Sequence, residues 1–508
     1  MAFDPQELGL KIIEFDPTHP QPGFFSTATE MAAALAAGLM AKPVAFPAHL
    51  APTLDTPSVP PDPSEPLPKA DVVIVTWTLA EAQTLATLLT PGVSFDNWYQ
   101  YKSKLDQYIP LVIGKRAPFN SHSSARFFHS LGMYYPIKLA GKKVICIKSG
   151  LHLDHDTYNP GQPAPARLPM LDLWKQMIAE TGAQFIVTTG TGGAIGANVL
   201  LGDVVVAKET VFDCTRQFVQ KPFAKASYPT TALPPSFAPP PAAMLEINAA
   251  LVAESGDQQH TGGLPAILYD GSVVAEPKIV TTDTFAFDNT TNSAGLQGLG
   301  QACDMGDASL GLIIGELGHG APEWAAIRNA SDPQIDGTLT PQQQGNVAFH
   351  TYTKFGGVTS AASVLATWSL ICSRFPVHAS AAVAMTIAAP APANPGFVLE
   401  ASRRRAMRST PSHLLLQIAA GRDFSANDVT PGDVPADVAQ ALKQRMDEVS
   451  VDPQASAIDW RRIGFVDETS ARCELYLAHV SCDNPEVFRG SYLFSSASLV
   501  AKEEFVSS

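Results

Sequence analysis

Apolar residues fall along this chain in two alternating patterns. The run Ala70-Asp71-Val72-Val73-Ile74-Val75-Thr76 is β-branched and nearly continuous, which predicts a strand buried on both faces of a sheet. An Ala- and Leu-rich helix over 80–89 follows it, and the same alternation recurs as a strand over 143–148 and a helix over 168–182. The segment 184–214 then reads as strand 185–187, a glycine turn, and strand 203–207. Further on, the pattern predicts a helix over 243–254, strands over 266–269, 278–282 and 325–329, and a closing helix over 349–372 despite Gly356 and Gly357. Small and apolar residues dominate 296–317. Strands alternating with helices of this length imply an α/β fold, a sheet with helices on its faces.

Proline interrupts this order twice. Residues 42–69 are too proline-rich for helix or central strand and read as a linker or surface strap, and 221–241 reads as an insertion loop. Before the first, 27–40 has the composition of a helix. Beyond 375 the pattern changes to a Pro/Ala linker at 390–395, the basic cluster Arg403-Arg404-Arg405, a helix over 436–449 and strands over 475–480 and 490–494. The expected organisation is therefore an N-terminal segment 1–69, a catalytic-type domain 70–375 and an extension 376–508, without internal repeats.

A chain of 508 residues exceeds one ordinary core and can bury a sizeable interior. Its formal charge of −14 argues against a broad basic face for nucleic acid. Six scattered cysteines without a CxxC pair read as reduced, packed thiols, which points to the cytoplasm. The Ala-rich 31–41 stretch is too short to span a bilayer, and no basic-then-apolar leader opens the sequence, so no membrane partner is expected.

The glycine segment is the first candidate for chemistry. In Thr189-Gly190-Thr191-Gly192-Gly193, glycines permit φ > 0 and a close approach of backbone N–H groups, with hydroxyls beside them, which suits an anionic or polyhydroxyl ligand. The order is neither GxGxxG nor a P-loop, and a tight turn between buried strands is the alternative. Three other pieces stand around it in order: Val75-Thr76-Trp77-Thr78-Leu79-Ala80-Glu81, Val280-Thr281-Thr282-Asp283-Thr284-Phe285 and Ile327-Arg328-Asn329-Ala330-Ser331-Asp332. Together the four resemble the nucleoside phosphorylase and nucleosidase family, over about residues 71–372.

That resemblance implies a three-layer α/β/α domain with a twisted, mixed central sheet, followed here by an α+β extension, and assembly as a homo-oligomer. It also implies roles for particular residues. Glu81 would position and deprotonate water, Asp332 would act as general acid to the departing base, and Phe285 would stack on that base. Arg328, on the same side of its strand as Asp332 by the two-residue period, would pair with it. In the sugar-binding piece, Cys303-Asp304-Met305-Gly306-Asp307-Ala308, Met305 matches but glycine stands where the family has a glutamate for the sugar hydroxyls. Asp307 or Asp304 would then take over that contact, or the sugar is held differently.

Bland readings stand beside these: a solvated first-turn residue for Glu81, core packing for Phe285, a surface ion pair for Arg328. The favoured function is an N-ribosyl hydrolase for a purine nucleoside or related nucleotide, since two carboxyls suffice to expel a base through an oxocarbenium-like sugar. No cofactor is expected. Inorganic phosphate would be co-substrate in the alternative, a phosphorylase, for which Lys148, Arg116 and Arg167 are the candidate anion ligands. A nucleoside-binding protein without turnover is the third reading. His152-Leu153-Asp154-His155-Asp156 has metal-like spacing but reads better as a polar loop at the pocket, and Arg403 to Arg405 with Arg408 as a solvated run.

Overall fold

The computed structural model describes residues 5–18, 40–111, 130–153, 168–196, 199–254, 264–272, 276–286, 292, 294–332 and 339–376, and in the remainder 410–411, 427–429, 456–468, 471–482, 489–495 and 501–506. The chain divides into two compact units, Met1–His378 and Ala379–Ser508. The expected helices over 27–40 and 436–449 lie outside the described residues, as do the proline linker and arginine cluster beyond 389.

The first unit is built on a mixed sheet with thirteen strands among the described residues. Its axis is β2 (Val72–Thr76), β6 (Phe185–Ala194) and β13 (Glu323–Asp332). Strands β2 and β13 both run parallel to β6, in the registers Val72↔Phe185 and Arg328↔Gly190. On one flank, β5 (Lys142–Ser149) pairs parallel with β2 and antiparallel with β4 (Gly132–Leu139). On the other, β12 (Ala302–Asp304) pairs antiparallel with β6 and parallel with β11 (Lys278–Thr282).

The alternation of β2 shows why its run is continuously apolar. Val72 and Ile74 pack into one cluster with Leu85 and Leu88 of the helix α2 (Leu79–Leu89) and Ala361, Leu365 and Trp368 of the long helix α7 (Pro341–Arg374). Val73 and Val75 point the other way, toward Leu173, Trp174 and Met177 of α4 (Pro169–Thr181) and Leu310 and Ile313 of α6 (Asp307–Leu317). Each such side chain removed from water contributes about 1.5–3 kcal/mol. Helices thus cover both faces, the three-layer α/β/α arrangement that the family resemblance implies. The segment Gln342–Arg374 is long and apolar enough to cross a membrane by length and composition, a property the sequence reading passed over, but its apolar window is wholly buried in the molecule.

Two proline-rich stretches take definite courses. The first crosses the sheet edge as a strap: the short strand β1 (Thr53–Leu54) pairs antiparallel with β4, Leu67 N–H donates to Glu180 at 2.9 Å, and Trp368 Nε1 donates to the Leu50 carbonyl at 2.8 Å. The expected insertion loop at 221–241 contributes a strand, β9 (Ser227–Pro229), paired with β8 (Glu209–Asp213), and seats Phe223 in the core. Before all of these stands α1 (Pro5–Glu14), which the sequence pattern did not announce. In the second unit the described elements are strands, ordered around the antiparallel run Ser456–Glu468, Ala471–Cys482 and Arg489–Ser495.

Candidate active site

A cleft of about 650 Å³, counting the space at its open mouth, lies at the carboxyl ends of β2, β6, β12 and β13. Glu81, Asp304, Arg328 and Asp332 all line it, together with Thr191, Gly192, Gly193, Phe285 and Met305. Among the expected site residues, Thr189, Gly190 and Asp307 are not part of its wall.

Glu81 enters through a capping box. Thr78 caps α2 and accepts from the Glu81 N–H, while the Glu81 carboxylate turns back to the cap N–H. The residue is buried, which removes the solvated reading. Its Oε2 accepts from Thr76 Oγ1 at 2.5 Å and from the N–H groups of Trp77 and Thr78 at 2.9 Å each. Its Oε1 accepts from the Thr191 N–H at 2.7 Å and Thr191 Oγ1 at 2.6 Å. A carboxylate offers roughly four lone-pair sites, so both oxygens are fully occupied by protein. Burial pushes this carboxyl up, but the Arg328 charge and the Thr191 and Thr76 hydrogen bonds outweigh it and hold it below its ordinary value.

The glycine segment differs from the expected turn. Strand β6 runs unbroken through Thr188-Thr189-Gly190-Thr191-Gly192-Gly193, because two backbone approaches there need the absence of a side chain. At Gly190, φ is 152° and an added Cβ would sit 2.5 Å from Glu81 Cδ. At Gly192 it would sit 2.7 Å from the Cys303 carbonyl oxygen of β12. The glycines therefore bring Glu81 and β12 against the strand, and the Thr191 N–H serves Glu81.

Arg328 is buried and its guanidinium is committed. Nε and Nη2 donate to Asp307 at 2.9 and 2.5 Å, Nη2 also to Asp304 at 3.1 Å, and Nη1 to the Thr191 carbonyl at 3.2 Å. Its forked partner is thus Asp307, with the guanidinium stacked on the Trp77 ring at 4.6 Å. Strand β13 shifts register between Ala330 and Asp332, so the two-residue period from Arg328 breaks and Ser331 and Asp332 both reach the cleft. Ser331 Oγ donates to Asp332 Oδ1 at 2.9 Å.

Asp307 opens α6 and is buried in its bond to Arg328. Asp304 Oδ2 accepts from the Gly306 and Asp307 N–H groups at 2.8 Å each, and its Oδ1 from Thr281 Oγ1 at 2.6 Å. Burial and the adjacent Asp307 charge push Asp304 up to about 7, against the pull of Arg328 and Thr281. At Gly306 the reason for glycine is steric: an added Cβ would lie 2.7 Å from Trp77 Cζ2. The indole fills the volume a larger side chain would need, held by Nε1 donating to the Leu151 carbonyl at 3.1 Å.

Phe285 faces the cleft and lies parallel to His152, with ring centroids 6.2 Å apart. Asp283, two residues earlier, turns away and accepts from the N–H groups of Thr215, Arg216 and Phe218. Of the basic candidates, Lys148 is buried, donates to the Ser149 carbonyl at 3.0 Å, and is brought down to about 8 by burial against the opposing charges of Glu81 and Glu14. Arg116, Arg167, Asp154, His155 and Asp156 lie outside the described residues.

Sequence reasoning gave no role to several of the cleft's residues, among them the following four. Trp77 stood inside a quoted motif without a role, Tyr352 sat in the closing helix, and Ile12 and Ile13 come from α1. Tyr352 donates its hydroxyl to Thr78 Oγ1 at 2.7 Å, tying α7 to the cap of α2.

Comparison with known proteins adds a sequence match and a set of folds. Residues 105–349 match the family model described as the phosphorylase superfamily. No curated protein matches the chain. Among solved structures, the 5'-methylthioadenosine/S-adenosylhomocysteine nucleosidase of Neisseria meningitidis, in complex with methylthio-immucillin-A, is similar at 15% identity, covering 59% of this chain and 98% of that one with a TM-score of 0.33. Futalosine hydrolase of Helicobacter pylori is similar at 15% identity over 59% of this chain and 96% of that one, TM-score 0.34.

Proposed function

The chain carries the phosphorylase superfamily's segment over residues 105–349, and on that premise we propose that its cleft hydrolyses the N-glycosidic bond of a purine nucleoside. The observation that carries this reading is the convergence of Glu81, Asp332 and Phe285, from three separate elements, on one cleft. In the reaction the bond from the anomeric carbon to the base nitrogen breaks as Asp332 gives its proton to the base, stacked on Phe285. Water forms the new bond to the anomeric carbon and loses a proton toward Glu81.

Both Glu81 oxygens are occupied, so the water enters at Thr191, a residue of the cleft wall, as its hydroxyl yields its hold on Oε1. The cleft's charges favour a nucleoside over a nucleotide. Glu81 is held ionised at the wall, and the guanidinium of Arg328 already serves the two carboxyls of Asp304 and Asp307. A phosphate would face net negative charge there, which also favours hydrolysis over phosphorolysis.

A second reading is a nucleoside-binding protein without turnover, favoured by the saturated Glu81 and by the Trp77 ring in the space beside Gly306. Purified protein incubated with purine nucleosides and nucleotides, with and without phosphate, separates these. Base released without phosphate and lost in Asp332→Asn is the expected result. Release only with phosphate makes it a phosphorylase, and a nucleoside retained intact makes it a binder.

A further inference from the structure

The N-terminal helix α1 lies outside the segment that matches the phosphorylase superfamily, yet it forms part of the cleft's wall. Three contacts fix it there. Ile12 is buried in a cluster with Ala80 of α2 and Ala348, Phe349 and Tyr352 of α7, and Phe15 meets the Tyr352 ring edge-on at 6.5 Å. Just past the helix, Gln83 Nε2 of α2 donates to Thr18 Oγ1 at 3.0 Å and to Asp16 Oδ1 at 3.3 Å. Gly9 is buried, and a Cβ there would fall 2.0 Å from Phe285 Cδ2, so glycine lets the helix descend onto the ring that faces the cleft.

With Ile12 turned into the packing, Ile13 is the half-buried member of the pair on the cleft wall. We propose that α1 is the specificity-determining wall of this site, with Ile13 touching the bound molecule beside Phe285 and favouring an uncharged, apolar substituent there. This rests on the nucleoside reading above for the identity of the ligand. It does not depend on turnover, because a wall selects what binds whether or not the bond is then cleaved. The helix is supplied by the same chain, so selection is set by the spacing of Gly9 and Ile13 on one face of α1, four residues apart.

The test uses the full-length protein, its Ile13→Ala and Ile13→Trp variants, and a series of purine nucleosides carrying hydroxyl, short alkyl-ether, longer alkyl-thioether or phosphate groups. Base release gives KM and kcat, and the thermal shift induced by each compound gives binding independently. Expected is a rise of about tenfold in KM for the most apolar members in Ile13→Ala with kcat held, and a shift of preference toward the smallest member in Ile13→Trp. The order of preference unchanged in both variants overturns the proposal and leaves α1 as a cover. If wild-type protein binds these compounds without cleaving them, the hydrolase reading fails while the thermal shifts still decide the role of Ile13. A wild-type protein that neither binds nor cleaves any of them overturns both.

Discussion

Asp332 and Asp304 are both carboxyls on the cleft wall, yet their surroundings give them different work. Asp332 stands at a strand end on the cleft wall and accepts from Ser331 Oγ, and Asp332→Asn keeps the shape while removing the transferable proton. A fall of about 10²–10⁴ in kcat with an unchanged melting temperature is expected, read by base release and thermal melting. Asp304 belongs to the buried cluster, and its carboxyl sits at about 7 rather than 3.8. The folded protein therefore binds that proton more tightly than the unfolded chain does. The sign follows: this stabilisation is complete below the unfolded value and is lost as pH rises through the folded one. Melting temperatures across about pH 4 to 8 should fall more steeply for wild type than for Asp304→Asn, and parallel curves would refute the assignment. Glu81, held low, acts in the opposite sense and loses its contribution as pH falls through its folded value.

At the scale of elements, the tightest joint is between β6 and the start of α2. Gly190→Ala places a Cβ against the Glu81 carboxyl in a backbone conformation that alanine rarely adopts, so it should cost about 1–3 kcal/mol and abolish turnover together. Chemical denaturation and base release measure the two effects. Trp77 and Gly306 form a second joint, between the β2–α2 turn and α6. Gly306→Ala should destabilise by about 1–3 kcal/mol, and combining it with Trp77→Ala should recover part of that loss as a coupling energy. Additive losses would mean that the indole is not what excludes a side chain at 306. These joints also explain what was legible beforehand. The continuous run of β2 announced burial on both faces, and Thr78 and Glu81 at capping-box spacing announced a helix start. The same signal at Thr340, with Gln343 three residues on and Pro341 between, sets the start of α7 eight residues before the expected 349. The glycines of β6 were misread as a turn because sequence shows that a side chain is missing and not which neighbour occupies its place.

For the whole molecule, every residue lining the cleft falls between Ile12 and Tyr352, within the unit Met1–His378. A protein ending at 378 should therefore keep the KM and kcat of the full chain, and a KM that moves would give the unit Ala379–Ser508 a part in binding. The sheet that builds the cleft takes its central strands from positions far apart in the chain, as Arg328 beside Gly190 and Val72 beside Phe185 show. Such pairing fixes the cleft's inner wall rigidly, whereas α1 reaches it from the far N-terminus through side-chain contacts.

Sequence by itself determined the periodicities, and with them the strands, most of the helices and an α/β class with helices on the faces of a sheet, because burial on one face or two leaves its mark locally. It also determined which acids and rings were candidates for chemistry. Tertiary structure decided who meets whom: that Arg328 forks to Asp307, that Glu81 has no lone pair to spare, that an indole occupies the space at Gly306, and that a helix from the N-terminus closes one side of the cleft. Each of these is a contact between residues remote in sequence, fixed by strand register and packing distance, and neither quantity is written in the local pattern of any one segment.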